Sequence, residues 1–248
     1  MTKSTMKWLR PLSAMFVFGI AASTAGCNRS APAGHNAGQA MTNAKANGTI
    51  PPAPANDPDA QASALMAAAE PFENLTESAF TSDAKKLDDL IAKAKSSAGG
   101  ASKLLSPSEA QALTSHVAAI DSARAGNKSA DLAIAAVEAY RTLVSNSGGH
   151  QKVPKEVSLL DYSGFRYQAD LKAQPIRWSD TVNALDFADA QWKQISATVS
   201  DAALRTKMSD TLAAMRSASQ SKDAKAGMTA STHELDLVDG LEKYFAHA

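Results

Sequence analysis

Trp178, Thr181, Leu185, Ala188, Trp192, Ile195 and Val199 recur at alternating intervals of three and four residues. That spacing puts them on one stripe of an α-helix and conflicts with the period of two that a half-buried strand requires. Such a stripe is stable only when buried against other helices. The rest of the chain obeys the same constraint. Apolar residues make up 44% of it but aromatic residues only 6%, because alanine carries much of the apolar share. Alanine has the highest helix propensity and lets helices approach closely. Runs of β-branched residues in two-residue alternation are absent. The chain therefore reads as all-α, a helical bundle of about eight helices.

Glycine, proline and capping residues set the expected boundaries. The first helix covers 61–79, with Pro71 breaking or restarting it, and the second covers 82–95, ended by Ser96-Ser97-Ala98-Gly99-Gly100. Ser106, Pro107 and Glu109 open the third. The serine caps, the proline takes the first position, where its missing N–H costs nothing, and the glutamate closes a capping box. This helix stops at Gly126, and a fourth covers 128–145. A fifth runs from Pro154 to about 172, and a sixth, capped by Ser179 or Asp180, to 198. The seventh covers 201–220 and the eighth 223–246. The fifth carries two apolar stripes, Val157, Leu160, Gly164, Tyr167 and Leu171 on one side and Leu159, Tyr162, Phe165 and Ala169 on another, so it belongs at the centre. Gly164 costs ~1 kcal/mol there relative to alanine. It marks either a close helix crossing or room for a ligand.

Residues 117–123 (VAAIDSA) resemble residues 212–218 (LAAMRSA) at an offset of 95. Carried forward, the offset sets Glu138 opposite His233 and Leu143 opposite Val238. The reading is two duplicated four-helix units, 61–146 and 153–246, against the alternative that alanine-rich helices resemble one another by chance.

The front of the chain is different. Lys3, Lys7 and Arg10 precede an apolar run over residues 12–22, and Ser23, Thr24, Ala25 and Gly26 follow it. These are the three zones of a secretory signal. The run of 11 residues is too short to span a bilayer, which needs ~20. Thr24-Ala25-Gly26-Cys27 resembles the lipobox of bacterial lipoproteins, with threonine where leucine is usual. The resemblance implies that residues 1–26 are removed and that Cys27, the only cysteine, is lipidated. It further implies a lipid-anchored protein on the periplasmic side of the bacterial cell envelope, in the outer membrane rather than the inner if the host has both. Residues 27–60 hold prolines, glycines and few large apolar side chains, and read as a disordered tether before a helical domain over 61–248. Such a tether reaches on the order of 30 Å.

Lys and Arg number 25, as do Asp and Glu, so no basic excess favours nucleic acid. No CxxCH, HExxH, GxSxG or glycine-rich phosphate loop occurs. No catalytic residue is assigned, and the chain reads as a non-enzyme. The candidates for chemistry are a histidine pair and one acid. His116 lies ten residues before Gly126 and Glu138 twelve after it. At 1.5 Å per residue they sit ~3 Å apart in level and face each other across a hairpin. His233 occupies the place of Glu138 in the second half. A carboxylate and two imidazoles from facing helices can hold a transition metal, so His116, Glu138 and His233 form the expected metal set. His150, in a glycine-rich loop, and His247, at the end, are expected to be exposed.

Two functions remain open at this level. One is a binding module for a small ligand or metal ion, with its site between the halves. The other is a structural or accessory envelope lipoprotein acting through protein–protein contacts. The membrane partner is reached through the lipid on Cys27 in either case, and no cofactor is specified.

Overall fold

The computed structural model describes residues 57–247. The expected signal peptide, Cys27 and the expected tether up to residue 56 lie outside the described residues; residues 58–60, also expected in the tether, are instead the first turn of a helix. Among the described residues there are eight α-helices and no strand: α1 (Pro58–Ser78), α2 (Ala84–Ala101), α3 (Pro107–Ala125), α4 (Ser129–Ser145), α5 (Lys155–Lys172), α6 (Trp178–Ile195), α7 (Ala202–Ser221) and α8 (Ala224–His247). The all-α bundle expected from the heptad-like spacing is the fold observed.

Short acidic or hydroxylic side chains start most of the helices by satisfying N–H groups that have no partner within the helix. Asp57 accepts from Asp59 and Ala60, with Pro58 in the first turn. Asp83 accepts from Lys86, Ser106 from Glu109, Asp201 from Ala203 and Leu204, and Asp223 from Lys225 and Ala226.

Two expected breaks do not occur. α1 runs through Pro71. The carbonyl that loses its partner there belongs to Ala67, an exposed residue, where water can satisfy it. α2 runs through Gly99-Gly100 to Ala101, because Ala98 and Ala101 are buried in the core and hold the last turn in place. Packing here outweighs the low helix propensity of glycine. A single 3-10 turn, Ser102–Leu104, follows α2, and another, Ser196–Thr198, follows α6.

That pair of turns belongs to a larger repetition. α2, its 3-10 turn, α3 and α4 begin 94 or 95 residues before α6, its 3-10 turn, α7 and α8. The burial pattern repeats in the same register. Leu87, Ile91, Ala94, Ala98 and Ala101 of α2 correspond to Thr181, Leu185, Ala188, Trp192 and Ile195 of α6, all buried. Leu113, Ile120 and Ala123 of α3 correspond to Met208, Met215 and Ala218 of α7, also buried. α1 packs on α2 and α4, and α3 on α4; likewise α5 packs on α6 and α8, and α7 on α8.

The halves meet where α4 packs on α5. The two α5 stripes then divide between two cores. Leu159, Tyr162, Phe165 and Ala169 join the core of the first four helices. Val157, Leu160, Tyr167 and Leu171 join that of the last three. α1 thus packs on α4 and α8 on α5.

One end of the bundle is tied together by the loop between α4 and α5. The His150 backbone N–H donates to Asp59 Oδ1 at 2.7 Å, at the start of α1. Gly149 has a φ of 125°, and a Cβ there would sit 2.8 Å from the same oxygen, so the close approach requires glycine. Lys152 donates to the carbonyl of Ala246 at the end of α8.

Candidate functional site

The hairpin geometry places His116 beside Glu138, as its spacing requires. Burial lowers the His116 pKa, and Glu138 opposes that while Arg141 adds to it. His233 is elsewhere. It is exposed, on α8, and lines a shallow open cleft with Asp210, Asp223 and Lys225. α3 packs on α4, whereas α8 packs on α5 and α7. The expected set of His116, Glu138 and His233 is therefore not gathered at one place.

Glu138 is moreover fully engaged. One carboxylate oxygen accepts from Tyr162 Oη at 2.9 Å and from Arg166. The other accepts from Arg141 Nε and Nη2 at 2.9 and 2.8 Å. Among the described residues no group of three or more His, Cys, Asp or Glu side chains is arranged to hold a metal ion. Arg166 also donates to Asp170 at 2.9 Å and approaches Asp180, so the network joins α4, α5 and α6. Burial works against the Arg166 charge, but Asp170 and Glu138 outweigh it and hold the guanidinium ionised. Each charge in this network has a partner, as a structural tie requires.

Acids also gather where α1 and α8 flank the α4–α5 pair. α1 carries Glu70, Glu73 and Glu77 at spacings of three and four, on one stripe of the helix. Glu73 is half-buried, and Glu70 and Glu77 are exposed. α8 carries Asp239 and Glu242, both exposed, and one further acid, Glu234, with no exposure at all. Between these helices α4 presents Tyr140 and α5 presents Asp161, only 8% exposed. The Tyr140 hydroxyl donates to the Ser158 carbonyl at 3.2 Å.

Like charges and burial act together along this seam. Burial raises the Asp161 pKa well above the usual carboxylate range, and Glu73, Glu242, Glu234 and Glu77 raise it further. Burial, then Glu77 and Glu242, push Glu73 up to about 8. Burial, joined by Asp239, raises Glu242, against which Lys243 acts. Glu234 is raised by burial alone. Burial and like charge thus disfavour the ionised form of Asp161, and burial that of Glu234.

Glu234 occupies a notch over Gly164. A Cβ on that residue would fall on Glu234 Oε2 and lie 2.6 Å from Leu235 Cδ2. Neither Glu234 oxygen has a hydrogen-bond partner. Leaving a buried polar group unpaired costs ~1–3 kcal/mol. Of the two readings of Gly164, the close helix crossing is the one observed, with Glu234 and Leu235 of α8 filling the space beside it.

Sequence reasoning passed over Glu73 and Asp161, because each looks like an ordinary acid on an amphipathic helix. The available signal was the 95-residue register, which sets Glu234 opposite Ala139 and Asp161 opposite Met66, both at core-facing or half-buried places.

An all-α bundle of two four-helix halves, with buried acids on α5 and α8, is the class these observations define. No known protein family, curated protein or solved structure matches the chain.

Proposed function

We propose that this protein is a lipid-anchored binding module of the bacterial cell envelope whose ligand carries positive charge. The site is the seam between α1 and α8 over Asp161. One observation carries the reading: Asp161 is buried, and beyond burial the charged groups that act on it are carboxyls, Glu73, Glu242, Glu234 and Glu77. Such an arrangement is costly to the free protein, and a cation supplies the charge that offsets it. The bilayer attachment is through Cys27, as its lipobox-like surroundings imply. Among the described residues no helix is long and apolar enough to cross a membrane.

The test uses the full chain in detergent micelles. Equilibrium dialysis against Ca²⁺, Mn²⁺ and spermidine is expected to show saturable uptake of a cation, reduced at least tenfold in Asp161→Asn with the helical circular-dichroism spectrum unchanged. No uptake of any of the three would overturn the proposal. Cys27→Ser is expected to move the chain from the membrane fraction to the soluble one without changing uptake.

A further inference from the structure

We infer that the crossing of α5 and α8 at Gly164 is a proton-controlled latch: a protonated Glu234 keeps it shut, and loss of that proton parts the two helices there. The inference stands apart from the cation reading of the seam and concerns how the second half opens.

The geometry of the crossing carries it. Glu234 has no exposure, and neither of its carboxyl oxygens has a hydrogen-bond partner. The carboxyl lies so close to the Gly164 backbone that a Cβ there would sit 2.0 Å from Oε2. Leu235, the next residue, fills the same notch and enters the core of the first four helices. A polar tie beside it, from Gln168 Nε2 to Thr232 Oγ1, is 3.4 Å long, beyond the usual range of a hydrogen bond. The equivalent crossing lies 95 residues earlier, where α1 packs on α4 with Ala69 and Ala139 both buried. That crossing closes without an acid. In the second half a carboxyl without partners stands where an alanine serves, at a cost in stability, and the facing residue is the glycine that makes room for it.

A charge is what this place cannot hold. A neutral carboxyl here costs its unmade hydrogen bonds, whereas a buried carboxylate without a partner costs far more. The surroundings supply no relief. Of the helices packed on α8, α5 turns Asp161 towards Glu234, and α7 places Asp210 in the outer cleft beside His233. Glu73 and Glu77 of α1 and Glu242 of α8 act on Asp161, and all are acids. When Glu234 ionises, the O–H bond of its carboxyl breaks and the proton passes to water. The carboxylate regains hydration only as α8 moves off α5, and that movement withdraws Leu235 from the core it shares with the first half. The direction with pH follows. Burial raises Glu234 well above the ordinary glutamate value of 4.5, so the closed crossing binds the proton more tightly than the open one. Closure is complete below that value and weakens as pH rises, with the opening constant growing up to about tenfold per pH unit until the closed-state pKa is reached.

The experiment is hydrogen–deuterium exchange, read by mass spectrometry, on the full chain in micelles between about pH 5 and 8, with rates corrected for intrinsic exchange. Peptides around Ala139 of α4 serve as the reference within the same molecule. Protection around Glu234 is expected to fall roughly tenfold or more relative to that reference across the range. In Glu234→Ala the ratio of the two is expected to stay constant with pH. Gly164→Ala combined with Glu234→Ala, which rebuilds the crossing of the first half, is run beside it and is expected to behave alike, so the test survives a poorly folded single variant. Protection that declines in step at both crossings of the natural chain overturns the latch. A relative fall that persists in the variants overturns it as well and transfers the effect to Asp161 or Glu73.

Discussion

Gly164 and Glu234 stand where Ala69 and Ala139 stand 95 residues earlier. All four are buried, on equivalent helices of the two halves. The first half thus makes its α1–α4 packing with two alanines at these places, and the second makes its α5–α8 packing with a glycine and a glutamate. The fold does not need the acid. Gly164→Ala is expected to destabilise the protein by ~1–3 kcal/mol, because its Cβ meets the Glu234 carboxyl and Leu235. Gly164→Ala combined with Glu234→Ala restores the pair of the first half. Urea denaturation should find this double variant ~2 kcal/mol more stable than the single Gly164→Ala. Equal losses in both would show that Leu235, not Glu234, sets the limit. At the same scale Glu73 makes stability depend on pH. Its folded pKa of about 8 lies above the ordinary glutamate value of 4.5, so the folded state binds the extra proton. Stability is complete below pH ~4.5 and declines as pH rises towards 8, by at most ~1.4 kcal/mol per pH unit for each such group. Asp161 and Glu234 act in the same direction. The urea midpoint should fall between pH 5 and 8, and Glu73→Gln should flatten that fall.

At the scale of elements, α5 carries the most. Its two apolar stripes were legible from spacing, and each enters its own core. Its polar side holds Arg166, which ties α4 and α6 to it through Glu138, Asp170 and Asp180. Only 18% of the Arg166 side chain is exposed. Removing it strands Glu138 and Asp170 with fewer partners, so Arg166→Ala is expected to cost ~3–5 kcal/mol. Arg216, which pairs on the surface with Asp186 and Asp189, should cost no more than ~1 kcal/mol on truncation. Chemical denaturation of the two variants measures the contrast. The network was not readable from sequence. Glu138 invited a metal reading because its level opposite His116 could be computed from the hairpin. Its neighbours from α5 could not, since inter-helix rotation depends on packing. Helix ends show the same division. Ser106-Pro107-Ser108-Glu109 announced its cap locally, whereas the passage of α2 through Gly99-Gly100 depended on burial of Ala98 and Ala101 by distant helices.

At the scale of the whole molecule, the repetition noticed in seven aligned residues extends through helix starts, 3-10 turns and burial. It was legible because periodic apolar positions survive sequence change. The acidic seam was not, because it is assembled from helices remote in the chain and from residues where the halves differ. The loop at residues 149–152 also brings the first turn of α1 and the last of α8 to one pole. Chain ends that meet in this way make the order of the two halves a matter of where the covalent chain is cut. A circular permutant that joins residue 247 to residue 57 through a short flexible linker, and opens between residues 146 and 153, would recite the second half before the first. Its thermal unfolding and near-ultraviolet circular dichroism should match those of the natural order.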